Sequence, residues 1–171
     1  MADTFIKIAS VTVGAGGASS IDFTSIPSTY TDLCVKFSVR TSNSNVGQSL
    51  NVTYNGSSSY ANRYIEGAGS GTPLSGSGTD KYIADIPGNT ATANIFGNGE
   101  LYIANYTSSV TKATSTDAVS ENNGTTSYAS LTAQTYANTS AITSISLASG
   151  GAGSPTLMQY STATLYGIKN S

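Results

Sequence analysis

The sequence predicts an all-β protein: an antiparallel, jelly-roll-like β-sandwich of about ten strands with essentially no helix, filling residues 1–171 as one domain. Three observations carry this reading. β-Branched and aromatic residues fall in short runs that alternate apolar with polar, the period of a half-buried strand. Gly, Pro and Asn-Gly signals punctuate those runs roughly every 8–12 residues. No segment places apolar residues at i, i+3, i+4 and i+7 with helix formers between them.

The elements follow in order. Phe5 to Val13 alternates through Ile6, Ile8, Val11 and Val13, with a phase slip near Ala9-Ser10 of the kind a bulge produces. Ser20 to Thr24 is short, with Ile21 and Phe23 on one face. Asp32 to Thr41 is the cleanest strand: Leu33, Val35, Phe37 and Val39 share one face, and Cys34, Lys36, Ser38 and Arg40 the other. Ser49 to Tyr54 puts Leu50, Val52 and Tyr54 together, and Asn55-Gly56 then signals a tight turn. Tyr60 to Glu66 follows.

The segment from Gly67 to Thr79 is rich in Gly and Ser and is expected to be a mobile loop. It is the one candidate linker, but the roughly 60 residues before it would make a poor core by themselves. Lys81 to Ile86 is a short strand stopped by Pro87-Gly88, and Glu100 to Tyr106 sets Leu101 and Ile103 against Tyr102, Ala104 and Tyr106. Val110 to Ser120 is weakly apolar and is placed near a sheet edge; Glu121 to Gly124 is a turn. Ser127 to Ala137, Ala141 to Ala148 and Leu157 to Lys169 complete the set, with a second Gly-rich loop at 150–153. In the last strand Tyr160, Thr162, Thr164, Tyr166 and Ile168 share a face opposite Ala163, Leu165 and Gly167.

Composition narrows the function. A chain of 171 residues is long enough to bury a core without staples. Only 9% of its residues are charged, against about 25% in an ordinary soluble domain. About half the chain is Ser, Thr, Gly and Asn. With no His, neither a His-dependent triad nor a usual zinc site is available. One Cys excludes an intrachain disulfide. Seven Lys and Arg, scattered from Lys7 to Lys169, leave no footprint for nucleic acid. The first residues, with Asp3 ahead of the apolar run and Lys7 inside it, do not form a secretory signal, and no stretch is apolar enough to span a membrane as a helix. Synthesis in a cytoplasm with Cys34 reduced is expected. The Asn-x-Ser/Thr sequons at Asn51, Asn55, Asn105, Asn123 and Asn138 are what chance gives in such a composition.

No catalytic, cofactor or metal constellation emerges. The carboxylates Asp22, Asp32, Asp80, Asp85, Asp117, Glu66, Glu100 and Glu121 sit beside Gly, Asn, Ser or Thr at expected strand ends and are read as turn and surface groups. A glycosidase pair among them, which would need two carboxylates facing one bond, is the competing reading. The nearest approach to a calcium loop is Glu121-Asn122-Asn123-Gly124 after Asp117. The Gly-rich segments lack the Lys and the helix that a phosphate loop requires. Cys34 has no His to activate it and is read as a buried thiol. Eleven Tyr without Trp suit cross-strand packing, a subunit or virion interface, or sugar stacking. The interface candidates are Phe5, Ile6, Tyr60, Tyr64, Tyr82, Tyr160 and Tyr166. Weakly charged sheet faces favour self-association, and a homotrimer is expected.

The opening Phe5-Ile-Lys-Ile-Ala-Ser-Val-Thr-Val with Gly14, then Ser20-Ile-Asp-Phe-Thr-Ser-Ile-Pro27 and Tyr30-Thr-Asp-Leu33, resembles structural proteins of tailed phages, especially those infecting cyanobacteria. The closing Gln159-Tyr-Ser-Thr-Ala-Thr-Leu-Tyr-Gly-Ile-Lys169 and the central Ser120-Glu-Asn-Asn123 fit the same pattern. The resemblance implies a virion protein without catalysis: a capsid decoration (cement) protein on the capsid exterior, contacting the major capsid protein. The alternative it implies is a head- or tail-fibre module recognising a host glycan. A free lectin-like module and a carboxylate glycosidase are the readings from other classes.

Overall fold

The computed structural model describes residues 4–67, 71–122 and 126–169. Twelve strands, and no helix, are found among them: β1 Phe5–Thr12, β2 Ile21–Phe23, β3 Asp32–Val39, β4 Gly47–Tyr54, β5 Tyr60–Gly67, β6 Leu74–Gly78, β7 Tyr82–Pro87, β8 Gly97–Ile103, β9 Lys112–Asn122, β10 Thr126–Tyr136, β11 Ile145–Ser149 and β12 Thr162–Ile168. They form two antiparallel sheets, one of eight strands in the order β1-β12-β3-β8-β9-β10-β5-β6 and one of four in the order β2-β11-β4-β7. The all-β sandwich is therefore the fold. β12 lies between β1 and β3, so the last strand is built into the large sheet.

The core follows the alternation. Leu33, Val35, Phe37, Leu101, Ile103 and Leu165 from the large sheet meet Ile21, Phe23, Leu50, Val52, Ile83, Ile86, Ile145 and Leu147 from the small one. Asn55 and Gly56 both take positive φ, and Ser57 N–H donates to the Tyr54 carbonyl over 2.9 Å, which makes the tight turn type I′. This turn carries the chain from one sheet to the other rather than closing a hairpin. The Asn55 side chain holds the turn in place, accepting from Thr143 N–H (2.9 Å) and Ser144 N–H (3.1 Å) and donating to the Ala141 carbonyl (2.8 Å).

Two buried cations organise loops without any carboxylate. The Arg40 guanidinium donates to the carbonyls of Thr92 (2.5 Å), Ala91 (2.9 Å), Ile95 (3.0 Å) and Asn89 (3.4 Å). Lys112 Nζ donates to the carbonyls of Ser140 (2.6 Å) and Asn138 (3.1 Å). Each charge is satisfied by backbone dipoles, the condition for burying it.

The structure corrects several local expectations. Leu74–Gly78, expected within a mobile loop, is a strand paired with β5. As an edge strand with mostly exposed side chains it has no buried face to imprint alternation on its sequence. The expected edge strand, β9, is instead central, flanked by β8 and β10. The register shift in β1 falls between Lys7 and Ala9, just before the phase slip. β12 begins at Thr162, leaving Tyr160 in a positive-φ turn, and Ile168, on the same face as Tyr166, is covered and buried there. Of the expected turn at Glu121 to Gly124, Glu121 and Asn122 close β9; Asn123 and Gly124 lie outside the described residues.

Candidate functional site

The half of the large sheet formed by β9, β10 and β5 reverses the usual polarity of a sandwich. Most of its inward positions are polar: Thr114, Thr116 and Ser120 on β9, Ser130, Thr132 and Gln134 on β10, Asn62 and Glu66 on β5, all buried, alongside the core residues Ala118, Tyr60 and Tyr136. Its outward positions carry the apolar side chains. Ile65 is 59% exposed, Val119 53% and Leu131 51%. Ile65 pairs with Leu131 across β5–β10, and Val119 pairs with Ala129 across β9–β10. Ala113, Ser115 and Ala133 keep parts of this face low, while Asp117, directly opposite Leu131, Glu121 and Arg63 bring charge to it. A shallow groove of about 390 Å³ runs along Ile65, Leu131, Ala129 and Pro73. Another, of about 560 Å³, continues past Leu131 and Val119 to Phe37 and Tyr102.

The polar inward face opens at a cleft of about 440 Å³ built by both sheets. β5 contributes Asn62, Tyr64 and Glu66, β6 Ser77 and Gly78, β7 Tyr82 and Asp85, and β4 Ser49 and Asn51; Asp80 and Gly150-Gly151 complete the rim. Glu66 is 7% exposed. The Tyr82 hydroxyl lies 3.3 Å from Glu66 Oε2 and 3.3 Å from Asp85 Oδ2, so one phenol bridges the two carboxyls. Burial, and then the charge of Asp85, push the Glu66 carboxyl up to about 7; burial also raises Asp85. One of the pair therefore holds a proton near neutrality.

Asn62 is the other unusual group. Its Nδ2 donates to the Asp80 carboxylate and, over 3.3 Å, to the Asp80 carbonyl. Its Oδ1 is buried and finds no hydrogen-bond partner among the described residues. The Asp80 acceptors fix this orientation of the amide, because a flipped Asn62 would set oxygen against oxygen. The Tyr64 and Tyr82 rings, 5.3 Å apart and tilted by 59°, line the same cleft. Tyr64 lies across Gly76 of β6, where a Cβ would collide with its ring.

The interface candidates separate into different places. Phe5 and Tyr166 meet edge to face at 6.1 Å on the β1–β12 pair, while Ile6 is half-buried. Tyr160 is exposed. Tyr64 and Tyr82 belong to the cleft. Tyr60 is buried beside Tyr54 and Tyr136, and its hydroxyl accepts from Tyr54 N–H over 2.9 Å, so it serves the core rather than a surface.

Cys34 is buried, with its thiol pushed up to about 12 by burial and by Glu100. Lys36 pairs with Glu100 at 3.0 Å, and Asp32 accepts from the Tyr102 hydroxyl (2.6 Å) and Asn105 N–H (2.7 Å). Asp22 accepts from the Ser20 hydroxyl over 2.6 Å. Asp117 and Glu121 are exposed on the straight run of β9 rather than gathered in a ligand loop. Among the described residues no three acidic, Cys or His side chains converge as a metal site would require.

The sequence reading missed the Glu66–Asp85 pair and Asn62. A signal was present: Asn62, Tyr64 and Glu66 are one alternating row, polar at the positions that turned out to face inward. Comparisons with protein-family models, with curated proteins and with solved structures found no match.

Proposed function

We propose that this chain is a structural protein of a tailed-phage virion, a capsid decoration protein that assembles as a homotrimer on the capsid exterior and reinforces capsomers by contact with the major capsid protein. One observation carries the reading: the reversed polarity of β9, β10 and β5. A free monomer gains nothing from turning Ile65, Val119 and Leu131 outward while placing Thr, Ser, Gln and Asn inside. Such a face has a purpose when another protein covers it. The low side chains around those three residues make it flat, which suits broad contact with a shell. Asp117, opposite Leu131, and Arg63, on the strand of Ile65, add charged contacts for that partner to match.

The test is cosedimentation of the purified protein with empty phage capsids, read beside its mass in solution. Saturable binding at a fixed ratio to capsid subunits, with trimer mass, is the expected result. A monomer that leaves the capsids bare would overturn the proposal.

A further inference from the structure

The cleft between β5–β6 and β7 has a use that contact with a shell does not explain. Its hydrogen-bonding groups do not balance. Glu66 and Asp85 together present four carboxyl oxygens, and near neutrality only the Tyr82 phenol proton and the one proton the pair itself holds are shared among them. Asn62 Oδ1, in a residue only 2% exposed, is an acceptor with no donor among the described residues. A buried acceptor left unmatched costs about 1–3 kcal/mol, so a polar group in this position calls for an explanation. Ser49, Asn51 and Ser77 line the cleft with donors of their own, yet none of them reaches Asn62 Oδ1.

Two further features restrict what supplies a donor there. The Tyr64 and Tyr82 rings offer an apolar wall beside the acceptors. Gly78 leaves the space beside the acceptor free of a side chain: a Cβ there would stand 3.2 Å from Asn62 Oδ1 and 2.9 Å from Asp80 Oδ2. A divalent cation would want six to eight oxygens at once. Here two carboxyls converge, while Asp80, the third acid of the cleft, is turned to Asn62 Nδ2 and Tyr82 N–H, and no three acidic groups gather as a cation site among the described residues. A ring that carries hydroxyl donors on its rim and C–H bonds on its faces meets both the acceptors and the aromatic wall.

We propose that this cleft is a saccharide-binding subsite, in which Glu66, Asp85 and Asn62 Oδ1 accept hydroxyl protons from a neutral sugar unit and the Tyr64–Tyr82 wall packs against its C–H face. The inference stands apart from the capsid proposal, since the cleft and the apolar outer face use different residues, apart from the Glu66 backbone between them.

The experiment is calorimetric titration of the full chain with glucose, galactose, mannose, N-acetylglucosamine and their β-linked and α-linked oligomers, with calcium chloride as a separate arm. Saturable binding of at least one sugar is expected, weakened tenfold or more in Glu66→Gln and in Tyr64→Ala and unchanged in Leu131→Asn. A measurement that needs no variant accompanies it: the same sugar slows amide hydrogen exchange in the wild-type segments 74–82 and 149–151. The proposal fails if no sugar in the panel binds. It also fails if binding leaves those segments unprotected, or if calcium alone binds and protects them.

Discussion

The Tyr82 hydroxyl lies 3.3 Å from Glu66 Oε2, and this contact joins the edge strand of the small sheet to the large one. The same phenol reaches Asp85, so a single hydroxyl bridges two carboxyls.

The first consequence is a pH dependence. Folding raises Glu66 from about 4.5 to about 7 through burial and the Asp85 charge. Between these values the folded state binds more protons than the unfolded chain, so stability falls as pH rises. The contribution is fully present below about 4.5 and is lost through about 7. Thermal melts are expected to show Glu66→Gln gaining on wild type by a few degrees at pH 8 and losing that advantage at pH 4. Parallel curves across that range would sink the assignment.

Arg40 is expected to be the least replaceable charge. Its guanidinium spans four carbonyls between Asn89 and Ile95, a geometry the single ammonium of Lys cannot reproduce. Arg40→Lys should cost roughly 2 kcal/mol and Arg40→Met more, about 3–5 kcal/mol, read from urea unfolding. Limited proteolysis should then cut within residues 88–96. A loss below about 1 kcal/mol for Arg40→Met would mean those carbonyls find other donors.

Gly99 is held by packing. A Cβ there would stand 2.8 Å from the Asp117 backbone carbonyl and would meet the Phe37 ring. The carbonyl belongs to the neighbouring strand and cannot step aside without breaking the β8–β9 ladder. Gly99→Ala is expected to destabilise by about 1–3 kcal/mol, whereas Gly56→Ser, in open space at φ 68, pays only for backbone strain. Equal losses at the two sites would contradict this ranking.

Cys34 should be inert while the chain is folded. Its thiol is buried and raised to about 12, which leaves almost no thiolate at pH 8. A colorimetric thiol reagent is expected to find no reactive group in the native protein and one per chain in denaturant. Rapid native labelling would show that β3 opens far more readily than its burial implies.

The outer face gives a test that separates assembly from folding. Ile65→Asn and Leu131→Asn replace exposed side chains, so each should shift stability by no more than about 0.5 kcal/mol. Capsid cosedimentation and the oligomer mass should nonetheless drop sharply. Variants that remain fully assembled would show that the partner sits elsewhere.

The strands of the apolar half were legible because burial on one face writes period-two alternation into the chain. Leu33, Val35, Phe37 and Val39 gave β3, and Ala163 and Leu165 gave the inner face of β12. Asn55-Gly56 gave its turn because few residues accept positive φ. β6 was not legible. An edge strand of Gly and Ser buries too little to leave a pattern, and Gly76 is there because Tyr64 lies over it.

The sequence by itself determined the all-β class, the shortage of charge, the lack of any His-based chemistry and the positions of most strands, since these rest on residue type and local periodicity. Only the tertiary structure decided which sheet each strand joined, that β9 is central, that β9, β10 and β5 turn their apolar side chains outward, and that Glu66, Asp85 and Asn62 share a cleft. Alternation states that two faces differ. Which face looks inward depends on the strand opposite, and contacts between residues far apart in the chain arise only when the two sheets close on each other.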